Sequence, residues 1–376
     1  MQNKQKLSKR VLSFVMALIL TLNIVLISGI IPVSVWATDA APLAFNELVY
    51  FVDGKAKTNQ DGKSVDTAFA TIKQASDAIG ALTDVDASKK AIIVICGPVD
   101  ATADGFTISG SSGSSSFSSS QRAFVNHPGG VEITSVHKDV DYRATKGAKL
   151  TMPKSFMLLC NTTFTNIKID SGADEVYANY YSLKLGEGVE GTFAKNIFLG
   201  TNAQAYYAAY YGDLKRTFDA QDVTFTMKSG TIGTLDCCFG TGNQGYTNGA
   251  GKSYSVTLDI QGGTVGALKA TYNEANSNPK VNNVNVIISA GTPELNLAEV
   301  VNSARIIGKK TVEYKGVVGV KSVKTGFDVL KLTNSTITTT LDVTTRSVVI
   351  TDNSRLTLTA APLAEVNVTL TKSGET

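Results

Sequence analysis

The chain has 376 residues, with 35 lysines and arginines against 32 aspartates and glutamates and a formal net charge of +3. Four of the basic residues and none of the acids fall in the first 37 positions, so the remainder carries 31 against 32, a net charge of −1. A chain this close to neutral offers no basic stripe for nucleic acid.

Lys4, Lys6, Lys9 and Arg10 form a basic leader, Val11 to Val35 is largely apolar, and Val35-Trp36-Ala37 ends the segment on a small residue. This order predicts a signal peptide over 1–37, cleaved after Ala37. The apolar run is also long enough to cross a bilayer, so an uncleaved anchor is the alternative. Pro32 and the Val-Trp-Ala end favour removal. No later apolar run has that length, which predicts an exported protein, extracellular or at the cell surface, without membrane contact once the leader is gone.

Residues 38–48 form a lead-in. Val49-Tyr-Phe-Val-Asp53-Gly54 then reads as a strand and Asn59-Gln-Asp61-Gly62 as a turn. Thr67 to Ile79 reads as an amphipathic helix, with Phe69, Ile72, Ala75 and Ile79 at helical spacing. Further strands are expected at Ala91-Ile-Ile-Val-Ile-Cys96, Val131-Glu-Ile-Thr-Ser135, Asp141-Tyr-Arg-Ala144, Asn161 to Ile169 and Leu183-Lys-Leu-Gly-Glu-Gly188-Val189. Between them, Ser109 to Ser120 is a Ser/Gly tract whose composition cannot bury apolar surface, so it is expected as a loop. Such a loop either decorates a binding face or serves as plain linker.

The order of strand, Asp/Asn/Gly turn, Thr67-Ala-Phe-Ala-Thr71-Ile72 and short helix resembles the N-terminal cap of right-handed parallel β-helix proteins. The family is the broad pectate-lyase-like superfamily, especially exported surface proteins of Gram-positive bacteria. The resemblance covers roughly residues 49–200. It implies an all-β fold, a single-stranded right-handed parallel β-helix solenoid with a short N-terminal capping helix. The domain would span 49–376, with its cap at 49–80.

The next stretch repeats itself. Val223-Thr-Phe-Thr-Met-Lys-Ser-Gly230-Thr-Ile-Gly-Thr-Leu235 is followed by Val256 to Leu268 and by Val284 to Leu295, each with glycine in the same place (Gly230, Gly263, Gly291). Each copy reads as a strand, a glycine corner and a second strand, at a period that suits stacked repeats. The pattern continues through Val329 to Leu332, Asn334 to Thr338, Val348 to Thr359 and Val366 to Leu370. A composition shift over Ser303 to Gly319 suggests a looser coil or a joint. The chain shows no recognisable C-terminal cap and no Leu-Pro-x-Thr-Gly sorting signal. It is therefore expected to be either freely secreted or the front of a longer polypeptide, and an open solenoid end favours the second.

Four cysteines are too few for a disulfide scaffold and lack zinc spacing. Cys96 and Cys160 lie in apolar runs, and Cys237 and Cys238 are adjacent. Buried thiols are expected; a Cys96–Cys160 bridge is the alternative if their coils are neighbours.

Chemistry is sparse. The resemblance implies that a polysaccharide lyase would hold calcium with several carboxylates. Aligning the repeats sets Asp259 opposite Thr226 and Ile287, and Asp236 opposite Lys269, so no acidic column forms there. A glycoside hydrolase needs two carboxylates at close range, and Asp219, Asp222 and Asp236, with Arg216, are the best local set. Aspartate at Asp219 and Asp222 is equally explained by turn chemistry. His127 and His137 lack a third metal ligand, and Asp53, Asp61 and Asp66 are more readily solvated than arranged around a structural calcium. No cofactor and no metal site is expected.

The strongest positive feature is aromatic. Tyr177, Tyr180 and Tyr181, then Tyr206, Tyr207, Tyr210 and Tyr211, form two clusters upstream of the repeats. A tyrosine joins an apolar ring to a hydrogen-bonding tip, suited to sugar stacking or to a protein interface. The alternative places one of each pair in the core. The resulting expectation is a non-catalytic adhesion or binding module for a glycan or a surface protein. A polysaccharide lyase or glycoside hydrolase, and a structural spacer of a longer surface protein, are the alternatives.

Overall fold

The computed structural model describes residues 48–372, apart from 58, 84, 105, 108–120, 124–126, 201–219, 238–252, 271–279, 293–294, 302, 304–305 and 321–325. The leader, nearly all of the lead-in and the Ser/Gly tract lie outside the described residues, and no described helix is long and apolar enough to cross a membrane. The described fold is all-β, built from long parallel sheets with few helices.

One sheet organises the molecule. Its twelve strands are Leu48–Val52, Ala91–Ile95, Val131–Thr134, Thr162–Thr165, Leu183–Leu185, Val223–Met227, Ser253–Ile260, Lys280–Ser289, Lys310–Lys315, Val329–Thr333, Ser347–Thr351 and Asn367–Thr371, stacked in chain order. Every adjacent pair is parallel, so the chain must travel away and return between one strand and the next. It does so through a seven-stranded sheet that includes Ala173–Tyr177, Thr192–Phe198, Thr231–Asp236 and Thr264–Lys269, and through two three-stranded sheets.

In-register stacking aligns like residues. One column of the long sheet runs Tyr50, Ile93, Ile133, Phe164, Leu185, Met227 and Ile260, and all seven side chains are buried. On five of these strands the preceding residue faces the other way: Glu132, Thr163, Lys184, Thr226 and Asp259 form a polar column. Alternation with a period of two therefore separates core from surface over these five strands, whereas the first two strands are buried on both faces at Tyr50–Val52 and Ile93–Ile95.

The repeats pair as their alignment requires, Val223 with Val256 and Val256 with Val284, and Leu235 with Leu268. Gly230 and Gly263 turn the corner with φ of 87° and 76°, a region that costs other residues steric strain. The third copy departs from expectation. Its described residues after Gly291 form no second strand, and the short helix Ala298–Val301 packs beside Thr264–Lys269 instead.

Three other expectations are corrected. The N-terminal helix is Ile72–Gly80, not Thr67 onward: Thr71 and Gln74 form a capping box at its start, and Phe69 sits in a bridge with Val52. Asp141 is not followed by a strand; it accepts from Arg143 N and caps a short helix, Tyr142–Lys146, that ends on left-handed Gly147. The long sheet runs unbroken through Lys310–Lys315, so the composition shift over 303–319 marks no break in it. The change there is in the accompanying sheets, where the seven-stranded sheet ends at Thr264–Lys269 and a new one begins at Val318–Val320.

Cys96, Cys160 and Cys237 are buried and outside any disulfide. The strand Val131–Thr134 separates those that precede Cys96 and follow Cys160, so the two thiols are not on neighbouring strands and no bridge forms. Burial, with the Asp53 carboxylate as the second cause, pushes the Cys96 thiol up to about 11.

Candidate functional site

The chain turns repeatedly from the seven-stranded sheet into the long sheet, and this corner recurs with successive strands. The chain leaves the first sheet at Phe198, Asp236 and Lys269, which are stacked in register. It re-enters the long sheet at Val223, Ser253 and Lys280, whose strands are likewise stacked. Leu199 N donates to Asp236 O and Cys237 N to Lys269 O, each at 3.0 Å, so the stacking extends past the strand ends. Three consecutive insertions are therefore anchored on the same edge of the molecule.

Aromatic rings pack this corner. Tyr177 stacks on Phe198 with centroids 5.1 Å apart, and its hydroxyl donates to Glu175 Oε2 at 2.8 Å. Tyr180 meets Tyr254 edge-on at 4.9 Å, and the Tyr254 hydroxyl donates to Cys237 O at 3.3 Å. Asn179 and Tyr180 both have left-handed backbone, φ 52° and 64°, unusual for side chains larger than glycine. Main-chain bonds hold the turn: Asn179 N donates to Gly200 O and Tyr180 N to Leu199 O, while Asn179 Nδ2 donates to Leu158 O.

The structure places Tyr177 and Tyr180 inside, 4% and 3% exposed, and Tyr181 half-buried against the core. Tyr206, Tyr207, Tyr210 and Tyr211 lie outside the described residues. Phe198 and Tyr254 complete the packing and were not singled out in the sequence. Aligning Ala173–Tyr177 with Thr192–Phe198 brings Tyr177 opposite Phe198, a signal available once the register is known.

The acidic candidates are dispersed. Asp219 and Arg216 lie outside the described residues. Asp222 is exposed and its Oδ1 accepts from Ser255 N at 2.7 Å, tying the start of Val223–Met227 to the neighbouring strand Ser253–Ile260. Asp236 is 2% exposed at a strand end, opposite Phe198 and Lys269. Asp259 accepts from Gln261 Nε2 at 2.7 Å. In the N-terminal region, Asp53 and Asp61 bond to the amides of Lys55 and Lys63. His127 is buried, with Nδ1 accepting from Gly129 N, and His137 packs edge-on to Phe51. Among the described residues, no three His, Cys, Asp or Glu side chains gather as a metal site.

Among the described residues, hydrogen bonds and nearby cations hold several carboxyls below their ordinary range. The leading causes are Thr67 for Asp61, Ser88 for Asp86, the Thr102 amide for Asp100, Arg143 for Asp141, Lys195 for Asp174 and Lys228 for Glu187. A carboxyl lowered in the folded state stabilises it above the unfolded value of about 4, and that contribution is lost as pH falls through the folded value. The denaturation midpoint is accordingly expected to drop between about pH 6 and about pH 3. Asp141→Asn, which removes the charge gripped by Arg143 at 2.7 Å, is expected to make that drop shallower. Urea titrations at the two pH values measure both.

Comparison with protein-family models, curated proteins and solved structures found no match.

Proposed function

We propose that the chain is a secreted or cell-surface, non-catalytic β-helix module that binds glycan at the corner carrying the three insertions. In this reading the parallel sheets are the faces of one right-handed solenoid, and the helix Ile72–Gly80 caps its first coil. Two features support the solenoid: the chain visits the long sheet and an accompanying sheet in turn, and the strands stack in chain order. The order of leader, strand, turn and helix supports export and the likeness to surface proteins of Gram-positive bacteria.

The observation that carries the binding reading is the common anchorage of the insertions. The first holds Tyr206, Tyr207, Tyr210 and Tyr211, the second Tyr246 with Asn243 and Gln244, and the third Tyr272 with Asn273 and Asn276. Tyrosine faces stack on sugar rings, and amide side chains supply donors and acceptors to sugar hydroxyls. The strand ends beneath them are fixed by the Tyr177–Phe198 and Tyr180–Tyr254 packing, so a repeated ligand would meet a repeated set of anchors. The described carboxylates nearest this corner are engaged in structure, Asp222 with Ser255 N and Asp236 within the packed strand end.

A glycan array of plant and bacterial polysaccharides tests this reading. Changing Tyr207 and Tyr210 together to serine is expected to weaken binding by about tenfold or more, the scale of an aromatic hot spot, with the thermal transition unchanged. Asp222→Asn is expected to alter neither, because the amide oxygen still accepts from Ser255 N. Glycan cleavage that Asp222→Asn abolishes would establish the lyase or hydrolase alternative. Loss of the fold in the tyrosine variant would return those rings to the core.

A further inference from the structure

The long sheet is continuous, but the sheets beside it are not. The seven-stranded sheet ends at Thr264–Lys269, a three-stranded sheet begins at Val318–Val320, and among the described residues no strand joins the two. Hydrogen bonds on either side of this gap run in opposite directions. Thr292 Oγ1 donates to Ile260 O, Ser303 Oγ to Ala270 O, Ile307 N to Val281 O and Gly308 N to Asn282 O, all toward earlier chain. Gly316 N donates to Thr333 O and Val317 N to Ser335 Oγ, while Val317 O accepts from Thr336 N, so residues 316–317 are seated on later chain.

The core thins at the same place. Gly319 stands in the column that Ile337 and Leu356 continue; Ile337 is fully buried, whereas a Cβ at Gly319 would meet nothing within 4 Å. Ile307 and Val318 stay 56% and 75% exposed. Val300, on the helix Ala298–Val301, is fully buried, but that helix packs on Thr264–Lys269, again toward earlier chain. The ladder that does cross runs in the long sheet, from Val284 opposite Lys310 to Ser289 opposite Lys315. Earlier junctions have two ladders: Val223–Met227 and Thr231–Asp236 pair with Ser253–Ile260 and Thr264–Lys269 at once.

We infer that the molecule carries a joint between Ser289 and Lys310, at which the strands Lys310–Lys315, Val329–Thr333 and Ser347–Thr351 open together as one unit while the earlier strands stay closed. Where each strand touches only its neighbours, the junction with a single ladder and a thinned core opens at the lowest cost. Phe198, Asp236 and Lys269, whose strand ends anchor the three insertions, all lie before the joint. Opening of the later strands therefore leaves that corner intact.

Amide exchange of the full chain, expressed with its leader for export and followed in graded urea below the unfolding transition, tests the joint. The three later strands are expected to share one exchange protection and one urea dependence. Val223–Met227, Ser253–Ile260 and Lys280–Ser289 are expected to be better protected, with a step of about tenfold or more between Ser289 and Lys310. Leu332 and Phe225 are both fully buried, one on each side. Leu332→Ala is expected to speed exchange in all three later strands by one common factor, about thirtyfold or more, the scale of a leucine cut back in a packed core. Fraying strand by strand would instead spare Ser347–Thr351. Phe225→Ala is expected to speed exchange in the earlier strands and leave the later ones at wild-type rates. Protection without a step at the joint, a Leu332→Ala effect that misses Ser347–Thr351, or a Phe225→Ala effect that reaches the later strands overturns the inference.

Discussion

Phe164→Ala is expected to lower the free energy of unfolding by about 3–5 kcal/mol, the usual range for a large aromatic removed from a close-packed core. Phe164 is fully buried between Ile133 and Leu185 in the long sheet, and its ring meets Phe193 edge-on at 4.7 Å. The aromatic pair adds a directional component to the area lost. The cavity would open between coils, where backbone hydrogen bonds on both sides restrain collapse. Stacked repeats communicate only with their neighbours, so weakening one junction is expected to split a single unfolding transition into two. Calorimetry together with urea titration reads both effects. A single transition displaced by under about 1 kcal/mol would show that this junction relaxes freely.

The register was legible from sequence because parallel in-register stacking places like residues in one column. Asp259 faces Thr226 and Ile287, and Asp236 faces Lys269, as alignment of the copies requires. The later strands, Val329–Thr333, Ser347–Thr351 and Asn367–Thr371, follow the same logic of alternating Val, Leu and Ile with Thr, Ser and Lys.

Legibility fails where the backbone leaves the strand. The expectation that one tyrosine of a pair points inward and the other outward assumes a pleated strand. Tyr180 lies instead in a left-handed turn, so although the adjacent pair does divide, Tyr180 buried and Tyr181 half-buried, strand alternation is not what divides it. Helical spacing misplaces the helix start for a related reason. Phe69 keeps helical spacing with Ile72, but Phe69 N and O are both bonded to the first strand's main chain, through Phe51 O and Asp53 N. The capping pair Thr71 and Gln74 was visible in the sequence and marks the true beginning. For the candidate site, the corner emerged only when the strand ends were seen to stack. Nothing in residues 199–222, taken alone, shows that they share an anchorage with 237–252 and 270–279.

Asp104→Ala is expected to cost about 1.5–3 kcal/mol, the scale of a hydrogen bond to a charged group whose removal leaves a buried donor unsatisfied. Asp104 is 6% exposed, and its Oδ2 accepts from Ile72 N at 2.7 Å, the first amide of the helix Ile72–Gly80. That amide has no partner within the helix, because first-turn N–H groups lack a preceding carbonyl. A carboxylate there also suits the positive end of the helix dipole. The bond spans from a segment beyond the strand Pro98–Asp100 back to the helix, and so ties the two together. If the helix covers the end of a solenoid, the loss should be local. Amide exchange is then expected to accelerate in Ile72–Gly80 and in Leu48–Val52, while strands from Val223 onward keep their protection. Uniform acceleration along the chain would show that Asp104 supports the whole stack, and unchanged exchange would show that the Thr71–Gln74 capping box suffices alone. Asp104→Asn separates charge from geometry, since its amide oxygen can still accept from Ile72 N, and it is expected to recover part of the lost protection.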